Sequence, residues 1–295
     1  MSDATTAQSS LKAAVGRYGI WSLGLRSENA GLRGEISEAA AELEELGFGA
    51  VWLGNNTTTH HAAPLIEATS RMTVATGIHS IWQQEPDRTA AQYAEMQAKH
   101  PGRFLLGLGV SHAMATERYR RPYASMVAYL DALDAAHVPA ERRVLAALGP
   151  KMLELSRDRA AGSHPYLVTA EHTAQAREIL GPGPLLAPEL KVVLEADPDR
   201  AGTIARGYLT VYLSLPNYTN SLLRLGFTEA DFTGGGSDRL IDALVAWGDE
   251  NRIRARIDAF HAAGADHVAL QIVDGRSPFD NVPRSAWRRL ADLLT

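Results

Sequence analysis

Eight short apolar runs, each followed by a stretch of helical periodicity, constrain this chain more than any other feature. The runs fall at residues 16–22, 50–54, 72–79, 104–109, 143–148, 162–167, 189–195 and 267–271. Apolar runs of this length, bounded by glycine or turn residues, mark strands buried on both faces, the pattern of parallel sheets. The third is rich in β-branched residues. The sixth is the weakest, because Pro165 cannot donate to a ladder. Between the strands lie helices. Residues 36–46 carry Ile36, Ala39, Ala40, Leu43 and Leu46 at a helical period and stop at Gly47. Further helical stretches fall at 62–69, 88–100, 123–136, 152–160, 169–180, 253–263 and 284–294, with Thr169, Asp197 and Asp249 as N-caps.

Consecutive strands with helical crossovers give either a closed (β/α)8 barrel or an open doubly wound sheet. Eight near-equal units in about 280 residues favour the α/β TIM barrel. Between 208 and 248 the rhythm breaks. There 208–215, 221–225 and 238–247 read as extra helices around Gly234-Gly235-Gly236, an insertion before the last strand. Residues 1–12 read as a small, polar, disordered tail, and 13–295 as a single barrel domain.

The chain has no cysteine, which excludes disulfides, thiolate chemistry and Cys-zinc sites. Its net charge of −5 gives no general attraction to nucleic acid or an anionic membrane. No apolar run approaches the roughly 20 residues of a membrane span, and the first ten residues lack a signal-peptide core. A cytoplasmic protein acting on a small molecule is expected.

The stretch Phe104-Leu105-Leu106-Gly107-Leu108-Gly109-Val110-Ser111-His112 sets a polar pair just past a buried strand. That is where parallel α/β proteins place their sites. Gly107-Leu108-Gly109 begins like a dinucleotide fingerprint, but His112 holds the third glycine's place. Gly109-Val110-Ser111-His112-Ala113 resembles a nucleophile elbow with its last glycine replaced, so a serine hydrolase using Ser111 is a competing class. An elbow needs a helix straight after the serine, and here the helix starts late. His60-His61 has no partner at ligand spacing, so no metal site is expected and a solvated loop is the simpler reading. Gly149-Pro150-Lys151 leads from a strand into a helix N-terminus, whose free N–H groups suit a phosphate. Trp21, Trp52 and Trp82 lie at or near strand ends and would give the barrel mouth an aromatic, mostly apolar pocket, with core packing the simpler reading for Trp52 in mid-strand.

Taken with residues 145–155, 162–169, 181–189 and 246–264, this central stretch resembles the luciferase-like monooxygenase superfamily. Within it, the chain is similar to the coenzyme F420-dependent oxidoreductases of actinobacterial type. The similarity spans about residues 16–275. FMN and F420 members share the barrel, so the resemblance implies F420 as cofactor with FMN as the alternative. It also implies a homodimer. A bulge at the end of the third strand, often with a non-prolyl cis peptide, backs the ring in such proteins; here it maps to Gly77-Ile78. Gly109, Val110 and Ser111 would flank the ring, with Ala147, Leu148, Gly149 and Pro150 near its side chain and phosphate. Asn55 and His164 join the expected cofactor site, and Trp21, Ser22 and Trp82 the substrate pocket. Sugar-phosphate dehydrogenases of the superfamily carry an acid–histidine pair after the second strand, where this chain has Asn55-Asn56, and a glutamate in place of His112. That reaction is therefore not implied. His112 is left as the acid–base candidate, with an unperturbed pKa near neutrality. The reading is an oxidoreductase moving hydride between F420 and a small organic substrate. Its alternatives are an FMN-dependent monooxygenase, the hydrolase, and a barrel that binds cofactor without catalysis.

Overall fold

The computed structural model describes residues 2–294. The chain opens with α1 (Ser2–Val15), β1 (Tyr18–Ser22), α2 (Arg33–Glu45), β2 (Ala50–Gly54), α3 (Thr59–Glu67) and β3 (Thr73–Gly77). It continues through β4 (His79–Ser80), α4 (Pro86–Lys99), β5 (Phe104–Gly109), α5 (Pro122–Ala135), β6 (Arg143–Leu145), α6 (Pro150–Arg159) and β7 (Gly162–Ser163). Then come α7 (Ala170–Leu180), β8 (Leu185–Leu186), β9 (Glu189–Val193), α8 (Pro198–Tyr212), α9 (Pro216–Arg224) and α10 (Asp238–Leu244). Last are β10 (Val245–Trp247), α11 (Glu250–Ala262), β11 (Val268–Ile272) and α12 (Arg284–Leu294).

Every strand pair is parallel. The sheet runs β10-β9-β11-β1-β2-β3-β5-β6-β7-β8, with β4 on β5. β3 and β4 are one strand broken at residue 78. β8 and β9 are one strand bent at Ala187-Pro188: its first half pairs with β7 and its second with β11. Ala187 N–H donates to Ser163 O and Glu189 N–H to Pro165 O, both at 2.9 Å, so the sheet curls closed through this strand. Eight barrel positions result, as the eight apolar runs imply.

Strand alternation divides the apolar residues. Val51, Leu53, Val74, Leu106, Leu190, Val192 and Leu270 pack outward on the helices. Trp21, Trp52, Leu105, Val144 and Leu185 fill the bore. Small bore residues (Ala50, Ala75, Ala161, Ala187, Ala269) make room for the two indoles.

The structure departs from the sequence reading in several places, among them the sixth strand, which covers only Gly162–Ser163 of the expected 162–167 and stops short of Pro165. Residues 238–247 are not one helix: α10 ends at Leu244, and the β-branched and aromatic Val245–Trp247 adds a strand to β9. Tyr208 belongs to α8, which begins at Pro198 and ends at Tyr212. The fifth strand ends at Leu145, which leaves 146–149 as irregular backbone. The polar stretch at 1–12 reads as a tail, yet α1 runs from Ser2 to Val15. Leu11 and Val15 on its last turns are buried under the bore, and Lys12 pairs with Asp266 at 3.0 Å.

Candidate functional site

A cavity of about 280 Å³ occupies the barrel mouth, at the C-terminal ends of the strands. Its floor is the break in the third strand, where the Gly77-Ile78 peptide is cis. The loop after β2 clamps this break: Ile78 N–H donates to Asn55 O at 3.1 Å, and Ile78 O accepts from Thr57 N–H at 3.0 Å. Asn55 holds a left-handed backbone with φ 62°, which asparagine tolerates better than most side chains. Its Oδ1 accepts from Asn56 N–H at 2.8 Å. An asparagine at 55 thus has a backbone reason to be there, and it also lines the cavity. His79, just past the break, is outside the lining: Nδ1 donates to Thr57 O at 2.8 Å, and Nε2 lies 3.1 Å from Thr89 Oγ1.

The end of β5 makes one wall. A Cβ on Gly109 would lie 2.6 Å from Ile78 Cδ1, so glycine is what lets Ile78 lie against this strand. Val110, Ser111 and His112 continue the wall. Asn217, from the insertion, donates to Ser111 O at 3.1 Å and hydrogen-bonds the His112 ring. Burial pushes the His112 pKa below 6.5 against that bond, so the ring is neutral at pH 7. Ala146, Ala147 and Leu148 also line the cavity, as do Val211, Tyr212, Leu215 and Tyr218 of the insertion.

The inner end of the cavity is aromatic. The Trp21 and Tyr166 rings lie 4.9 Å apart, and His164 stacks on Trp52 at 4.0 Å. The Tyr166 hydroxyl sits 2.9 Å from Tyr208 Oη, 3.2 Å from Tyr212 Oη and 3.0 Å from Gln271 Oε1. The Lys191 ammonium lies 4.1 Å from the Tyr166 ring centroid and 2.7 Å from Glu189 Oε2. Both charged groups are buried in the bore, where the ion pair and the ring offset part of their desolvation.

Three buried polar atoms around this cavity have no partner: Trp21 Nε1, His112 Nδ1 and His164 Nε2. An unmade hydrogen bond costs about 1–3 kcal/mol per buried group. With its place at the C-terminal ends of the strands, where parallel α/β folds put their sites, this makes the cavity the candidate ligand site. Among the described residues, no Lys, Arg, Asp or Glu lines it. A larger groove of about 670 Å³ lies between α4 and the segment after α5. It borders the loop leading into β6, at the opposite face from the strand ends, and two of its lining residues, Tyr93 and Gln97, also carry a buried oxygen without a partner.

Of the residues singled out in the sequence, Trp21, Asn55, Gly77, Ile78, Gly109, Val110, Ser111, His112, Ala147, Leu148 and His164 line the cavity. Ser22, Trp82, Gly149 and Pro150 do not. Ser22 Oγ accepts from Leu25 N–H at 3.2 Å and is a turn residue. Trp82 donates from Nε1 to Val110 O at 2.6 Å and props the end of β5. Gly149 is the N-cap of α6 and Pro150 its first residue. Arg224, from the insertion, reaches this helix start: its Nη2 lies 3.4 Å from Leu148 O. His60 and His61 lie in the first turn of α3, not a loop, and His61 Nδ1 accepts from Thr58 N–H at 3.1 Å. The tyrosine wall is the part that sequence reasoning missed. Tyr208 and Tyr212 are four residues apart and share a helix face, which is the signal that could have found it.

The luciferase-like monooxygenase family model matches residues 19–267. No curated protein sequence matches. Among solved structures, an F420-dependent secondary alcohol dehydrogenase in complex with an F420-acetone adduct is 13% identical, with TM-score 0.72 over 95% of this chain and 99% of that one. The coenzyme F420-dependent tetrahydromethanopterin reductase from Methanopyrus kandleri is 14% identical, with TM-score 0.67 over 93% and 97%. The FMN-bound oxygenating constituent of 3,6-diketocamphane monooxygenase from Pseudomonas putida is 11% identical, with TM-score 0.67 over 94% and 96%. At these identities the likeness is one of fold.

Proposed function

The chain belongs to the luciferase-like monooxygenase family, and on that premise we propose that it is a coenzyme F420-dependent oxidoreductase transferring hydride to or from a small organic substrate. The observation that carries the reading is the cavity floor: the break in the third strand at residue 78, clamped by the loop after β2, with Gly109 letting Ile78 lie against β5 beneath the cavity. Such a surface, with unpartnered polar atoms at its rim, fits a flat heteroaromatic ring with a polar edge. The F420-bound neighbour, at TM-score 0.72, supports the choice of cofactor.

The cofactor would supply the hydride chemistry; the protein orients it and keeps water out. Ile78, Val110 and Ala147 would hold the ring. The N-terminus of α6, with Arg224 beside it, would hold a phosphate through the Lys151 N–H, the helix dipole and the guanidinium, since Pro150 has no N–H and those of Met152 and Leu153 donate to Gly149 O. The insertion covers the mouth with Tyr212, Leu215 and Tyr218. His112, neutral and with a bare Nδ1, would take the proton released when an alcohol-type substrate is oxidised, or return it in the reverse direction.

The FMN-bound neighbour favours a second reading, an FMN-dependent monooxygenase using the same cavity. The serine-hydrolase reading finds a left-handed Ser111, φ 54°, but no base: among the described residues no histidine is hydrogen-bonded to Ser111 Oγ, and only a short 3-10 turn at Ala113–Ala115 follows before α5 begins at Pro122. Soaking the protein separately with F420 and FMN, then identifying the retained cofactor by mass spectrometry, tests the proposal. Retained F420 supports it. FMN alone moves the protein to the second reading, and retention of neither withdraws both.

A further inference from the structure

The large apolar side chains that stand exposed among the described residues all lie on one face of the barrel. Met114 and Tyr123 are on the segment that leaves β5, Val211 and Leu223 are in the insertion after β9, and Phe279 follows β11. These strands are parallel, so each segment leaves from the mouth. Single exposed apolar residues are ordinary; a set confined to one face marks a contact surface. Val211 and Phe279 also line the cavity, where they are 66% and 53% exposed, and they form its lip. Both are held in place. Val211 is in the last turn of α8, whose Tyr208 and Tyr212 meet Tyr166 inside. Phe279 is on a pinned loop: Ser27 Oγ donates to Asp280 Oδ1 at 2.5 Å, and Asn281 Nδ2 donates to the two Asp274 oxygens at 3.1 and 3.0 Å. Gly24 has no room for a Cβ because Asn281 O lies against it, so the loop rests on the turn after β1.

The cavity is too small to enclose a cofactor ring and a substrate together. A drug-sized ligand alone takes roughly 300–1,000 Å³, and this cavity has about 280 Å³. With a ring system on the Gly77-Ile78 floor, a substrate enters by one end and the rest of it must lie at the lip. Among the described residues the lining has no charged side chain to pair an ion, so a charged substrate would lose hydration there without return. An apolar one would instead cover two side chains now held in water.

We propose that the substrate is an uncharged, largely apolar molecule larger than the cavity, whose reacting end enters it and whose apolar body lies across Val211 and Phe279. This rests on the reading of the cavity as a cofactor site and names the substrate class for it. A ligand, rather than a protein or lipid partner, is the occupant because the two lip residues belong to the cavity lining itself.

The test measures binding rather than turnover. Cyclohexanol, 4-cyclohexylcyclohexanol and 4-cyclohexylcyclohexanecarboxylate are titrated by calorimetry into the full-length protein, with and without F420. The double variant Val211→Gln, Phe279→Ser alters exposed positions only, and circular dichroism checks its fold. In the F420-loaded wild type the two-ring alcohol should bind at least about tenfold tighter than cyclohexanol, and the carboxylate should not bind. The double variant should cut that ratio below about threefold. Should it fail to fold, the two single variants are read against the same ratio. Equal binding of the two alcohols in the loaded wild type, an undiminished ratio in the folded variant, or carboxylate binding equal to that of the two-ring alcohol would overturn the proposal. So would an equal fall in F420 affinity, since the lip would then belong to the cofactor. Binding to neutral phosphatidylcholine vesicles, or self-association, that the variant abolishes while the alcohol ratio stays would give the face to a lipid surface or a second copy and overturn it too. F420 binding with equal affinity for the two alcohols removes the lip and leaves the cofactor reading standing. A high ratio in protein that never retains F420, erased in the double variant, keeps the apolar site and removes the cofactor reading.

Discussion

Two histidines flank the same indole in the barrel bore, and they differ in one atom. His267 lies towards the foot, where Trp52 Nε1 donates to its Nε2 at 2.9 Å and its own Nδ1 donates to Gly16 O at 2.9 Å. His164 lies on the mouth side, stacked on Trp52 at 4.0 Å, with Nδ1 on Ala187 O and Nε2 bare. Both are almost wholly buried and both are neutral. At the foot every polar atom of the pair is spent on the protein, so that end is a packed core. At the mouth one atom of His164 and one of Trp21 are held back, and they border the cavity. Burial alone does not separate a structural histidine from a ligand-facing one; the hydrogen-bond account does.

The largest effect expected at the mouth is on turnover. His112→Ala should lower single-turnover hydride transfer by about 10²–10⁴-fold with little change in cofactor affinity. A loss of affinity with turnover intact at saturation would make His112 a binding residue instead.

Acid should act on both ends of the bore. Burial holds the His267 pKa at about 4 and that of His164 at about 3, below the unfolded value near 6.5. Their contribution to stability is complete above pH 6.5. As pH falls the unfolded chain takes up protons that the folded chain cannot, at up to about 1.4 kcal/mol per pH unit for each ring. Urea melts from pH 7 to pH 4.5 should show this fall, and a flat profile would mean that neither ring is held neutral by the fold.

Trp52→Phe sharpens the contrast by baring His267 Nε2 at the foot. It should cost about 1–3 kcal/mol of stability and leave cofactor binding unchanged. In Trp21→Phe the lost N–H has no protein partner, so its melt should be close to wild type. If the two melts fall equally, the bore has no structural end distinct from its binding end. The smallest effect belongs to Lys151→Ala. With the Lys151 backbone N–H, the α6 dipole and Arg224 as the phosphate anchor, cofactor affinity should fall by less than about tenfold. A hundredfold loss would transfer the anchor to the lysine side chain.

The fold was legible because parallel strands buried on both faces write themselves as apolar runs, and crossover helices keep a 3.6-residue period. The floor and one wall of the cavity were legible too, since Gly77, Gly109 and the pair Ser111-His112 sit at strand ends. What failed to show was anything set by long-range contact. Asn55 reads as a missing acid or histidine until its left-handed φ is seen. Trp82 and Ser22 look like pocket residues from position alone, but their polar atoms are spent on Val110 O and Leu25 N–H. The tyrosine wall comes from an insertion whose packing over the mouth no local pattern encodes. The tail expected at 1–12 looks polar by composition, and only the barrel foot gives Leu11 something to bury against.

The most direct test of the cavity as the cofactor site is a fluorescence titration of F420 into Gly109→Val. A side chain there meets Ile78 Cδ1 at 2.6 Å and must displace it or enter the cavity. Wild-type protein should bind F420 saturably, and folded Gly109→Val should bind at least about 100-fold more weakly, some 2.7 kcal/mol. Undiminished binding in the folded variant would contradict a cofactor seated on the Gly77-Ile78 floor.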